Sequence, residues 1–253
     1  MNREHRQLDY PLRFEWGISG AASALEADVA VVVDVLSFTT TLSVAIDVGT
    51  EVLPYRSKDA SAAQYASDHD AALAVGRRAA TPGSISLSPG TIRSAQSVER
   101  LVLPSPNGSS IAYELGTSAG ACVGASLRNA RAVAGWIADN YPDGAVIAVI
   151  AAGEKWPDGS LRPAVEDLWG AGAVITALMS AGGPTHASPE AEVAAAAWQA
   201  VAGRASFALH GCGSGRELIA DGFADDVAVA AEVDQSRSVP MLRDHRFVDA
   251  RRR

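Results

Sequence analysis

Short apolar runs alternate with longer mixed stretches along this 253-residue chain. The sharpest run is Val29-Ala30-Val31-Val32-Val33, stopped by Asp34. A β-branched run bounded by polar residues predicts a strand buried on both faces. Hydroxyl residues follow it, and they predict a capped helix to about Val48 that Gly49 can close. Residues 51–54, 72–75, 100–103, 121–125 and 145–151 read as further strands. Helices are expected over residues 57–66, over 127–140 with Val133, Trp136 and Ile137 on one face, and from Pro163 to about Ser180. Two more are expected, over 189–201 and through Ala220 behind the glycine-rich turn 211–216. Such alternation predicts a largely parallel or mixed sheet covered on both faces, a three-layer α/β/α sandwich. Residues 1–27 read as an edge hairpin or an arm, 77–96 as an irregular loop, and Arg251-Arg252-Arg253 as a disordered tail.

Composition narrows the function. A net charge of -8 argues against general nucleic-acid or anionic-membrane binding, which needs a basic field. An anionic substrate must then be held by local arginines, helix N-termini or a metal. Cys122 and Cys212 form no framework and suit a reducing cytoplasm, the expected location. Residues 1–20 lack the apolar core of a signal peptide, and no apolar run is long enough to span a bilayer. One domain over 1–253 is expected, with an arm at about 1–27 and a tail at about 249–253. A homodimer is a possible assembly.

Acids at strand ends and at one helix start carry the candidate chemistry: Asp34, Glu154 and the pair Glu166-Asp167. An acid at the carboxyl end of a buried strand sits where open α/β sheets bind ligands. The alternative for Asp34 is a cap that bonds nearby backbone amides. Glu166 and Asp167 point roughly 100° apart on a helix, so one can bind a cation directly and the other through water; their alternative role is to complement the helix dipole. Pro104-Ser105-Pro106-Asn107-Gly108-Ser109-Ser110 offers a turn and a helix start, which form a phosphate cradle or only a turn. Other schemes fall away. The second acid of a haloacid-dehalogenase motif would stand at Leu36, Cys212 and Arg216 are too close for a cysteine phosphatase loop, and the glycines at 211, 213 and 215 follow no strand. His210 reads as structural or capping.

The ordered series of motifs resembles the 2-phosphosulfolactate phosphatase (ComB-like) family. It consists of Asp34-Val35-Leu36 with Thr39-Thr40-Thr41, Ser105-Pro106-Asn107-Gly108-Ser109, Arg128-Asn129-Ala130, Ala151-Ala152-Gly153-Glu154, Glu166-Asp167 with Gly170-Ala171-Gly172, and Ser214-Gly215-Arg216-Glu217-Leu218 leading to Val239-Pro240. The resemblance covers about residues 28–240. It implies an α/β/α sandwich and a Mg²⁺-dependent phosphoric monoester hydrolase acting on 2-phosphosulfolactate or a related phosphorylated hydroxy acid. Asp34, Glu166 and Asp167 would surround the metal, and Asp34 and Glu154 would be catalytic. Thr39, Thr40, Asn107, Gly108, Ser109, Arg128 and Asn129 would bind substrate, with Arg128 on its acid group. Two departures stand out. Ser37-Phe38 replaces the family's Arg-Ala, and Gly76-Arg77-Arg78 replaces Gly-Glu-Arg. Loss of the arginine at 37 leads to the expectation that another phosphorylated hydroxy acid is preferred over 2-phosphosulfolactate. The alternative is a relative that binds an anionic metabolite or a protein partner without catalysis.

Overall fold

The computed structural model of the chain describes residues 2–252 apart from Leu25, Lys58, Gln96, Ser97 and Thr185. In chain order it runs β1 (Leu12–Trp16), α1 (Gly17–Ser23), β2 (Val29–Val33), α2 (Phe38–Asp47), β3 (Glu51–Tyr55), α3 (Ser61–Asp68), β4 (Ala72–Leu73) and α4 (Pro89–Ser94). Next come β5 (Arg100–Pro104), α5 (Gly108–Ser118), β6 (Ala121–Ala125), α6 (Ala130–Asn140), β7 (Ile147–Ala151), β8 (Glu154–Lys155), β9 (Leu161–Arg162) and α7 (Val165–Ser180). The chain closes with α8 (Pro189–Gln199), α9 (Ala205–Gly211), α10 (Gly213–Ala220), α11 (Ala224–Ala230), β10 (Pro240–Arg243) and β11 (Arg246–Asp249).

Among the described residues, nine strands form one mixed sheet in the order β1-β7-β2-β6-β10-β11-β3-β5-β4. The first four are mutually parallel, as are β3, β5 and β4. Between the two blocks lies the antiparallel hairpin β10–β11, itself antiparallel to β6 and to β3. β2 is buried on both faces, as its sequence predicts. Val29, Val31 and Val33 enter the core beneath α6, α7 and α8, while Ala30 and Val32 enter the opposite core beneath α1, α2 and α5. β7 alternates in the same way, with Ile147, Val149 and Ala151 on one side and Ala148 and Ile150 on the other. Helices on both faces make this a three-layer α/β/α sandwich. No helix among the described residues is long and apolar enough to cross a membrane.

Three segments differ from the sequence reading. The central hairpin falls in residues for which no strand is predicted. Its turn places Asp244 and His245 at φ 48° and 63°, the positive-φ geometry of a two-residue hairpin, without the glycine that normally signals it. Residues 77–96 are not wholly irregular, because Pro89 opens α4 behind Ser88 and Arg77–Ala79 forms a 3₁₀ turn. The stretch read as a hairpin or arm supplies edge strand β1, parallel to β7, and α1. At the other end, the Arg251 amide donates to Asp249 and its Nη1 to the Arg237 carbonyl, while Arg252 pairs with Asp249. Met1, Gln96 and Arg253, which fall within the expected arm, loop and tail, lie outside the described residues.

Candidate active site

Four segments meet at the carboxyl end of β2 and are joined in a closed ring of hydrogen bonds. Asp34 ends β2. Its Oδ1 accepts from the Phe38 amide at 3.0 Å and its Oδ2 from the Gly108 amide at 3.1 Å. α5 can reach Asp34 because position 108 has no side chain: a Cβ there would collide with the Phe38 ring and lie 2.8 Å from Asp34 Oδ2. One residue earlier, Asn107 Nδ2 donates to Glu154 Oε2 at 3.0 Å, which ties α5 to the loop after β7. Asp167, in the first turn of α7, closes the circuit. Its Oδ1 accepts from the Val35 amide at 2.7 Å and its Oδ2 from the Gly153 amide at 2.9 Å. Gly153 holds a φ of 64°, which lets the chain turn its amide toward that carboxylate.

The acids crowd one another. Burial pushes the Asp34 carboxyl up to about 6, against the pull of the Phe38 and Gly108 amides and of Arg77. Burial, followed by the charge of Asp34, lifts Glu154 to about 7, with Arg162 opposing. Asp167 rises well above the usual carboxylate range through burial and the charges of Asp34 and Glu166. Glu166 is 2% exposed and lies near Cys212, whose thiol donates to the Leu209 carbonyl at 3.2 Å. That thiol is raised to about 12, chiefly by burial and then by the Glu166 charge. Glu166 and Asp167 therefore face different partners, as their angular separation on the helix requires.

A hard cation fits this donor set by its chemistry. The acids are all oxygen donors, and Glu166 lacks any cationic or amide partner among the described residues. No group of three or more His, Cys, Asp or Glu is arranged as a ready cage among those residues. Mg²⁺ does not need one, because it is usually held by one or two carboxylates together with water and substrate phosphate. Asp34 keeps free lone pairs on both oxygens after accepting one amide on each.

Glu154 lines three adjoining cavities of about 460, 160 and 360 Å³. The smallest holds Asp34, Ser37, Arg77 and Asn107. The largest adds Arg78, Lys155, Arg162 and Ser214. Together, the ring and the cavities bring together Asp34, Asn107, Gly108, Glu154 and Asp167 from the sequence-derived set, and Glu166 lies near enough for its charge to raise the carboxyls of Asp34, Glu154 and Asp167. The other members of the set bond elsewhere. Thr39 Oγ1 donates to the Asp34 carbonyl and Thr40 Oγ1 to the Val35 carbonyl, each at 2.7 Å, so both hydroxyls staple the loop's own backbone. Ser109 Oγ donates to the Leu103 carbonyl at 3.2 Å. Asn129 fastens its own turn, accepting from the Ser126 amide and donating to the Gly124 and Ser238 carbonyls. Arg128 lines none of the three cavities. Its guanidinium is buried against Ser43, Asp47 and Glu232, and Arg93 holds the same Glu232 with two hydrogen bonds. His210 is half-buried, with Nδ1 on the Ser206 carbonyl, and lines none of the three cavities.

Of the further cavity residues, Lys155 and Arg162 are absent from the sequence reading, Ser214 enters it only as part of a motif, and Arg77 only as a loop arginine able to restore the charge missing at position 37. Arg77 lies on a loop whose path the sequence does not fix. Arg162 stands immediately before Pro163, and its nearness to the acids of α7 was the signal available.

The fold and site define an α/β/α sandwich whose strand ends gather buried acids beside arginine-lined cavities. The family model for 2-phosphosulpholactate phosphatase matches residues 20–245. A protein of Deinococcus radiodurans named probable 2-phosphosulfolactate phosphatase is 32% identical over 219 residues, covering 85% of this chain and 88% of the relative. The chain belongs to the 2-phosphosulpholactate phosphatase family. That membership makes it a phosphatase, a phosphoric monoester hydrolase.

Proposed function

We propose that the protein is a Mg²⁺-dependent phosphatase that hydrolyses a small acidic phosphoester, 2-phosphosulfolactate or a related phosphorylated hydroxy acid. The hydrogen-bonded ring around Asp34, next to cavities that hold Arg77 and Arg162, is the observation that carries this reading. Asp34 and Glu166 would hold the cation, with Asp167, whose oxygens already accept from the Val35 and Gly153 amides, beside them, and when bound it neutralises phosphate charge and can activate water. Asp34 presents its carboxylate where a phosphoryl group enters the smallest cavity. Asn107 orients Glu154, whose proton affinity near neutrality suits proton transfer to or from the reacting oxygens. Two free thiols, Cys122 and Cys212, are in keeping with a cytoplasmic enzyme.

The test is phosphate release from a panel of phosphorylated hydroxy acids, 2-phosphosulfolactate among them, with Mg²⁺ and after chelation. Release is expected with Mg²⁺, falling by more than about a hundredfold on chelation and recovering when the ion is restored. Because Asp34 gains a proton below about pH 6 and the charged carboxylate is the form that would hold a cation, activity is expected to rise with pH through about 6. Thermal stabilisation by a phosphoester with no phosphate release would instead show binding without turnover.

A further inference from the structure

Arg77 is the guanidinium shared by the two cavities on either side of Leu36. It lines the smaller one with Asp34 and the larger one with Arg162 and Lys155. Two contacts fix it from behind: its Nε donates to Asp226 Oδ2 at 2.6 Å, and its Nη2 donates to Ser37 Oγ. The Asp226 side chain is 5% exposed and also accepts from Ser88 Oγ at 3.0 Å, so the anchor is rigid. The Phe223 ring lies 5.9 Å from the Arg77 guanidinium carbon. A guanidinium carries five N–H donors. Two are spent on these anchors, and among the described residues no protein partner takes the rest. Their neighbours are the cavity walls.

We infer that Arg77 is a specificity-determining residue that binds a second acidic group of the substrate, seating it in the 460 Å³ cavity while the phosphate occupies the Asp34 side. The inference rests on the phosphatase reading and deepens it. The preferred class is a phosphomonoester whose ester carbon bears a carboxylate or sulfonate within one or two bonds. Arg78, Lys155 and Arg162 also line that cavity, but of these four cations only Arg77 lines the Asp34 cavity as well. Arg78 is paired with Asp221 at 2.7 Å, and Arg162 Nη2 is hydrogen-bonded to Ser214 Oγ at 3.1 Å. Without Arg77, a second acid beside Asp34 and Glu154 would meet like charge. A planar fork suits either acid, because it can offer two parallel N–H donors.

The probes are phospholactate and isopropyl phosphate, which differ by the carboxylate alone. Wild type is expected to favour phospholactate. In Arg77→Ala the ratio of specificity constants should fall on the order of ten- to a hundredfold, through a raised KM for phospholactate, because a charged hydrogen bond is lost. Arg77→Lys should recover part of the ratio, since it keeps the charge but not the fork. Arg77→Ala leaves Asp226 buried and unpaired, so the double variant Arg77→Ala/Asp226→Asn carries the same measurement if the single one unfolds. An unchanged ratio in whichever variant folds, with both esters still hydrolysed, overturns the inference and reduces Arg77 to the structural partner of Asp226. Failure of the wild type to release phosphate from these esters and from 2-phosphosulfolactate alike would overturn the phosphatase reading beneath it.

Discussion

Asp34→Asn is expected to lower turnover by at least about a thousandfold while leaving the fold's stability nearly unchanged. The two effects separate because of what surrounds the residue. Its charge is costly to bury, since desolvation lifts it to about 6 and Glu166 adds to the cost. Removing the charge relieves that cost. Against this, an amide in place of the carboxylate can accept from only one of the Phe38 and Gly108 amides and presents its NH₂ to the other. A lost hydrogen bond costs about 1 kcal/mol, so the two terms roughly cancel. Function has no such compensation, because an amide is neither a nucleophile nor a strong ligand for a hard cation. Steady-state turnover with saturating Mg²⁺, beside a thermal midpoint, checks both halves. Full activity would remove Asp34 from the chemistry.

Asp167→Ala is expected to act in the opposite manner, through stability. Its two oxygens serve the amides of Val35 and Gly153, which belong to loops on adjacent parallel strands, β2 and β7. Both residues are buried, so water cannot replace the acceptor. Each orphaned amide costs roughly 1–3 kcal/mol, giving about 2–6 kcal/mol together, less the relief of no longer burying a carboxylate whose proton affinity is raised. Asp167→Asn should be intermediate, since it keeps one acceptor. Urea midpoints at constant slope read the difference. Wild-type stability in Asp167→Ala would show that the bridge does not hold the loops together.

Much of this was legible in the sequence, for a physical reason. β2 and β7 are apolar at every position because both faces are buried, and Asp34 and Glu154 stand out as the acids that follow them. The Asn107-Gly108 turn was legible too, although its amide proves to serve Asp34. Arg128 was placed by motif on a substrate's acid group, but a motif cannot show that Ser43, Asp47 and Glu232 surround its guanidinium in space. The same limit applies to Ser37. Read alone, it meant a missing arginine and a shifted substrate preference. In the fold, Arg77, forty residues later, donates to the Ser37 hydroxyl and brings a guanidinium back to that place from another segment. The hairpin β10–β11 was hidden because Asp244 and His245 adopt positive φ without glycine, and its four-residue strands are too short for periodicity to show.

The central claim, that the acids around Asp34 form the metal-dependent phosphatase site, is tested most directly by locating a bound cation. Crystals soaked in Mn²⁺, a Mg²⁺ surrogate with an anomalous signal, with and without inorganic phosphate, give that position. The account predicts a peak within coordination distance of Asp34 and Glu166, with phosphate beside it toward Asn107 and Arg77. A cation bound elsewhere, or none at these acids in an enzyme that needs the ion, would contradict it.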